Sequence, residues 1–142
     1  VSKKSTNKKI KNATPVNCDG IHFKSRLEKY CYKKLKENKI KAEYEKHTYT
    51  LVEGFEFDGK KIRPMTYTPD FVGKNFVIEC KGQQNDAFPL RWKLFKLYLH
   101  NKKKNVKLYL PRNLKQVDEV IEMIKNECVK KKMEGYKSYP VK

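Results

Sequence analysis

Asp70, Glu79 and Lys81 lie in YTPDFVGKNFVIECKG, residues 67–82, a stretch that otherwise reads as buried strand. Residues two apart in a strand share a face, so Glu79 and Lys81 point one way and Ile78 and Cys80 the other, which makes Cys80 a core residue. Asp70 joins Glu79 if the two strands form a hairpin with an even number of loop residues, because directly opposed residues of an antiparallel pair share a face. Two turns satisfy this, Gly73-Lys74 and Lys74-Asn75. A three-residue loop would separate the carboxylates unless a bulge restored the phase.

Two carboxylates on one surface repel, and burial raises the pKa of at least one unless a cation lies between them. A hard divalent ion, Mg²⁺ or Mn²⁺, resolves the conflict. It takes oxygen ligands, keeps several waters and accepts phosphate oxygens, and the backbone carbonyl of Cys80 is a further candidate ligand. Such an ion lowers the pKa of its water enough for attack on phosphorus, while the ion and Lys81 offset charge building on the phosphate. Taken singly, each residue has a plainer reading: Glu-x-Lys as a solvated edge pair, and an Asp after Pro as a turn residue. The flanking Phe71, Phe76, Val77 and Ile78 favour a buried hairpin, where unpaired charge is costly.

The elements that must hold these residues follow from periodicity. Residues 1–18 carry lysines with few apolar neighbours and read as a mobile basic arm, 19–133 as the folded domain, and 134–142 as a basic tail. From His22 to Asn38 the residues Phe23, Leu27, Cys31 and Leu35 recur every four positions, the buried stripe of a helix with Glu28 on its flank. Residues 43–71 alternate loosely around Asp58-Gly59, a two-residue hairpin signal, and strands are expected at 67–72 and 76–81. A second helix starts near Phe88 with Leu90, Leu94, Leu97 and Tyr98 as its main stripe, while Lys93, Lys96, His100 and Lys103 recur at helical spacing. Residues 106–111 form a short strand. A third helix follows, with Leu114, Val117, Val120, Ile121, Ile124 and Cys128 on one face. The order describes a small α/β domain with a mixed central sheet flanked by helices.

The chain has 142 residues, with 34 Lys and Arg against 16 Asp and Glu, a formal net charge of +18. That excess opposes compaction and calls for a polyanionic partner, nucleic acid first. A membrane surface fits poorly, since no segment approaches a span and no aliphatic amphipathic terminus is present. The N-terminal residues have charge but no apolar run behind it, which predicts an intracellular protein. The four cysteines are scattered without a C-x-x-C pair, arguing against structural zinc. Lys24, Arg26, Arg91, Lys93, Lys96 and Lys103 are candidate nucleic-acid contacts. No RNP-like or double-stranded-RNA pattern occurs, so DNA is the expected substrate.

Pro69-Asp70 followed by Glu79-Cys80-Lys81 resembles the signature of the PD-(D/E)XK nuclease superfamily. The segments FKSRLEKYCYKKLKENKIKAEYEKHTY (23–49), YTPDF (67–71) and IECKG (78–82) are similar, in that order, to the bacteriophage endonuclease-I type Holliday-junction resolvases. The resemblance implies a restriction-endonuclease-like PD-(D/E)XK core and a phage or prophage enzyme acting in the cytoplasm of a bacterial host. It implies catalytic roles for Glu28, Asp70, Glu79 and Lys81, with the three acids holding one or two Mg²⁺ or Mn²⁺ ions, and a homodimer in which swapping brings one chain's helix glutamate to the other's strand residues. On its own, Glu28 reads as a surface helix residue beside Lys24. The chain departs from the family in a longer stretch between Glu28 and Asp70, around Asp58-Gly59, and in a shorter C-terminal part. Two alternatives stay open: a nuclease of the same fold acting on unbranched duplex in restriction or repair, and a non-catalytic DNA-binding module.

Overall fold

The computed structural model describes residues 15–83, 85 and 87–137, with side chains through Glu134. Most of the expected arm, residues 1–14, lies outside that range, as do residues 138–142 of the expected tail. The fold begins earlier than expected: β1 (Val16–Cys18) pairs with β2 (Ile21–Phe23) through Asp19-Gly20, whose φ angles of 50° and 74° are those of a tight primed turn. The expected helix from His22 starts only at Arg26, since Phe23, four residues before Leu27, fits either period. Helix α1 (Arg26–Glu37) opens on Ser25, whose hydroxyl accepts from the Glu28 N–H at 3.1 Å. That hydroxyl also donates to the Glu28 carboxylate at 3.1 Å, so the start of the helix fixes the glutamate.

A four-stranded mixed sheet forms the centre, in the order β10 (Lys107–Tyr109), β9 (Phe76–Ile78), β8 (Phe71–Gly73), β3 (Ala42–Tyr44). The β3/β8 and β8/β9 pairs are antiparallel and β9/β10 is parallel. The parallel pair requires a crossover, which α2 (Phe88–Asn101) provides. Two ribbons extend the intervening chain: β4 (Tyr49–Val52) pairs with β7 (Met65–Tyr67), and β5 (Phe55–Phe57) pairs with β6 (Lys60–Ile62) across the Asp58-Gly59 turn. The expected strand 67–72 is split at Thr68-Pro69-Asp70, where Pro69 has no N–H to give a ladder.

Alternation divides the core between the two faces of the sheet. Phe71, Phe76, Ile78 and Cys80 pack with Cys31 and Leu35 of α1 and with Val117, Val120, Ile121 and Ile124 of α3 (Leu114–Lys137). Val77, on the other face, packs with Tyr67 and with Phe88, Trp92, Phe95 and Leu99 of α2. The molecule is therefore a mixed α/β fold with a central sheet covered on both faces.

Four expectations about the helices change. On α2, Leu90 and Leu97 are 55 % and 51 % exposed, and the sheet instead receives Phe88, Trp92, Phe95 and Leu99. Both stripes have helical spacing, and the one with larger aromatic area takes the core. On α3, Leu114 and Cys128 are exposed, because they lie at and beyond the ends of the buried run Val117–Ile124. The third concerns the end of the helix, which continues to Lys137, so the first residues of the expected tail at 134 are helical. Lys103 follows the end of α2, leaving only Lys93, Lys96 and His100 of the basic series on the helix.

Candidate active site

The register of the central sheet builds the site. Phe71 opposes Ile78 and Val72 opposes Val77, which leaves Lys74-Asn75 as the two-residue turn rather than Gly73-Lys74. Neither turn residue has positive φ, so the turn is not of the I′ type. Gly73 is needed for packing, because the ring of Phe76 occupies the place of any Cβ there. Continued by one residue, the same register sets Asp70 opposite Glu79. On the other side of β8, Tyr44 opposes Phe71, which sets Glu45 opposite Asp70, and the Glu45 N–H donates to the Asp70 carbonyl at 2.9 Å. Three carboxylates thus form a row across the end of three neighbouring strands. Glu28 joins from α1.

One carboxylate oxygen from each of Glu28, Glu45 and Asp70 lies within 4.8 Å of the others. Glu28, Asp70 and Glu79 are each only 6–7 % exposed. Asp70 Oδ2 accepts from the Cys80 N–H at 2.8 Å, and Glu28 Oε2 accepts from the Tyr44 hydroxyl. Glu79 Oε2 accepts from the Tyr67 hydroxyl at 2.7 Å and from the Asp70 N–H at 3.3 Å, while Oε1 lies 3.7 Å from Lys81 Nζ. Lys81 in turn sits 4.6 Å from the centre of the Phe88 ring. Expected catalytic residues Glu28, Asp70, Glu79 and Lys81 therefore lie at one end of the sheet. The N–H of Cys80, the residue expected to offer its carbonyl, supports Asp70.

Burial, followed by the charges of Glu79 and Glu28, pushes the Asp70 carboxyl up to about 9. Glu79 is also raised by burial, against the opposing pull of the Tyr67 hydroxyl and Lys81. Burial drives the Tyr67 phenol far above its usual value, with Glu79 adding to the effect, so its O–H remains a donor. Four acids face two nearby lysines: Lys81, and Lys24, whose Nζ is 2.7 Å from Glu45. The arrangement suits a hard cation, with carboxylate oxygens converging and charge left over.

Glu45 was not among the expected site residues. Its signal is the Glu-Tyr-Glu sequence at 43–45, in which Tyr44 is an inward strand residue. Its pairing to Asp70, 25 positions along the chain, is a tertiary fact. Glu45 also has φ of 48°, a left-handed conformation unusual for a residue with a side chain.

The expected nucleic-acid contacts are divided. Lys24 is 70 % exposed but pairs with Glu45, and this ion pair holds its pKa up. Arg26, Lys93, Lys96 and Lys103 are exposed. Arg91 is half-buried with an unpartnered Nε among the described residues, and its charge acts on Tyr67. Lys93 and Lys96 line a small groove with Phe88, Trp92 and Leu110, so the exposed bases of α2 begin beside the ring on which Lys81 rests.

None of the described helices is long and apolar enough to cross a membrane. Searches of curated proteins and of solved structures returned no match. The profile of a family described as "Protein of unknown function (DUF1064)" matches residues 8–118, which takes in every acid of the site. The chain, with its row of carboxylates at the end of a mixed sheet, is a member of the DUF1064 family.

Proposed function

We propose that this protein is a metal-dependent endodeoxyribonuclease of the PD-(D/E)XK type that acts on branched DNA. The observation that carries this reading is the convergence of Glu28, Glu45 and Asp70, with Glu79 buried opposite Asp70 and Lys81 beside Glu79. Buried acids without matching cations cost stability, and a metal-binding role accounts for keeping them. Glu28, Asp70, Glu79 and the Cys80 carbonyl would hold Mg²⁺ or Mn²⁺, with Glu45 as a further carboxylate. When bound, such an ion supplies a water of lowered pKa and offsets charge on the scissile phosphate.

The protein's own groups do the rest. Lys81 holds a positive charge beside Glu79 and can stabilise negative charge on the phosphate. Tyr67 keeps one Glu79 oxygen oriented, and the Cys80 N–H does the same for Asp70. Exposed Lys93 and Lys96 offer a phosphate track along α2, next to Phe88. The preference for branched over linear DNA rests on the resemblance of the motifs at 23–49, 67–71 and 78–82 to junction resolvases.

Incubating the protein with a four-way junction and a linear duplex of matched sequence, with Mg²⁺ or with chelator, tests this directly. Metal-dependent cleavage of the junction is expected. Equal cleavage of both substrates would move the assignment to a duplex nuclease, and binding without cleavage under any divalent metal would leave a DNA-binding module.

A further inference from the structure

A concavity of about 300 Å³ lies at the other end of the central sheet from the acid row. Asp70 and Glu79 sit where β8 begins and β9 ends, whereas this hollow is walled by the Lys74-Asn75 turn that joins the two strands. Lys107, at the start of β10, and Lys131 and Lys132 of α3 complete a basic rim, with Glu127 as the one carboxylate among the described lining residues. The remaining wall is apolar. Phe76 and Ile124 are buried and Tyr109 is half-buried, while the lysines are exposed, so the apolar residues lie deep and the charges at the mouth.

The walls are tied to one another. The Lys107 N–H donates to the Asn75 carbonyl at 2.9 Å, and Lys107 Nζ reaches Glu127 on α3 at 2.8 Å. With its side-chain amide turned to accept, Asn75 takes a hydrogen bond from Lys131 Nζ at 2.8 Å. Glu127 is thus occupied by Lys107, and Lys74 and Lys132 have no carboxylate partner among the described residues.

We propose that this hollow binds an unpaired nucleotide of a nucleic-acid strand, with the base against Tyr109 and the phosphates against Lys74 and Lys132. Phosphate recognition alone needs exposed charge and no hollow, and a solvated helix face would account for the lysines of α3 by themselves. Neither accounts for an apolar pocket whose rim collects bases from a turn, a strand and a helix. An unstacked base offers an apolar face with a phosphate on either side, the pattern that aromatic and basic groups in one groove accommodate. A duplex keeps its bases in the stack and offers a hollow of this size only phosphate. Exposed Lys102, Lys103 and Lys104 lead to Asn105 at the rim and extend the positive surface beyond it. For the proposed nuclease this favours branched DNA with an unpaired arm over a branch that is paired throughout.

The site rests on nucleic acid being the partner, not on metal or cleavage, so it is tested in chelator. Cys128 is exposed at the rim and reports on the hollow directly. An oligothymidylate should slow alkylation of Cys128 by a maleimide and leave Cys18, half-buried on β1, at its unliganded rate. A blunt duplex of equal length and polyglutamate should each protect Cys128 less. Lys74→Ala with Lys132→Ala should lower the slope of log oligomer affinity against log salt by about 1.4, or about 0.7 for each lost phosphate contact. Tyr109→Leu, which keeps apolar volume beneath the hollow, should weaken oligomer binding roughly tenfold, the scale of one base stacked on an aromatic ring, and leave duplex binding unchanged. An oligomer that binds while Cys128 stays fully reactive overturns the site and leaves the nuclease reading intact. Equal protection by duplex overturns it too, as does equal protection by polyglutamate, which would point to an acidic protein segment instead. A chain that binds neither oligomer nor duplex would overturn both the site and the nuclease reading.

Discussion

The acid row and the β5/β6 ribbon lie at opposite ends of one excursion of the chain and break the same rule in opposite directions. At one end carboxylates are buried beyond the number of nearby cations; at the other, phenylalanines are exposed beyond what the ribbon can cover. Both depart from the usual placement of charge outside and apolar area inside. The surroundings of the two differ. Each buried acid has a neutral hydrogen-bond donor in place, from Ser25, Tyr44, Tyr67 or the Cys80 backbone, so that end is pre-ordered around its charge. Among the described residues, no ring is paired with Phe55 or Phe57 in the way Tyr67 pairs with Trp92 and Phe95. A pre-ordered polar site suits a small cation, and an uncovered apolar strip suits a surface as broad as itself.

The comparison is broken most severely at Asp70. Asp70→Asn should lower metal-dependent cleavage by roughly 10³-fold or more, because it removes a metal ligand's charge at unchanged shape. Metal-free protein offers an independent reading. The folded-state pKa of Asp70, about 9, lies above its ordinary value of 3.8, so the folded chain retains a proton that the unfolded chain has released. Its contribution to stability is complete at acid pH and is lost as pH rises through that interval toward 9. Melting in chelator should therefore fall from pH 5 to pH 9, and both Asp70→Asn and added Mg²⁺ should flatten that fall. A melting temperature independent of pH in the wild type would mean that the carboxyl is already ionised without metal.

The changes Phe55→Ser and Phe57→Ser come next, since they remove exposed rings far from the acid row. They should leave the rate of nicking per site within a few-fold of wild type, separating the two ends of the excursion. A collapse of nicking in these variants would show that the ends are coupled.

Tyr67→Phe probes the order around the acids. Loss of one hydroxyl donor to Glu79 should slow cleavage roughly tenfold, the scale of a single hydrogen bond to a charged group. The acidic limb of the pH–rate profile should also move upward, since the Tyr67 hydroxyl holds the Glu79 pKa down. A tenfold loss without a shifted limb would assign Tyr67 to packing against Trp92 and Phe95 instead. The smallest effect is expected from Lys93→Ala with Lys96→Ala, where the dependence of log DNA affinity on log salt should fall by about two, one for each lost phosphate contact. An unchanged slope would make the pair ordinary solvated lysines.

The sequence by itself determined the elements whose signals are local. The Asp58-Gly59 hairpin, the α1 stripe of Cys31 and Leu35, and the inward position of Cys80 follow from turn chemistry and alternation, and each lies where those rules put it. The same-face placement of Asp70 and Glu79 was legible as a choice between even turns, because strand parity needs only the turn length. Asp19-Gly20 carried the same turn signal as Asp58-Gly59, but Phe23 could be read at helical spacing from Leu27.

What the tertiary structure decided concerns distances along the chain and competition between faces. The stripe of α2 with the larger aromatic area met the sheet because Tyr67 and Tyr49 pack against Phe95 there, and those partners lie outside the helix. Glu45 entered the acid row only because β3 pairs with β8, and Glu28 because the capped start of α1 lies against that same end of the sheet. Pairing between distant strands is chosen by the packing of the whole core, so local pattern could supply the acids but not bring all four together.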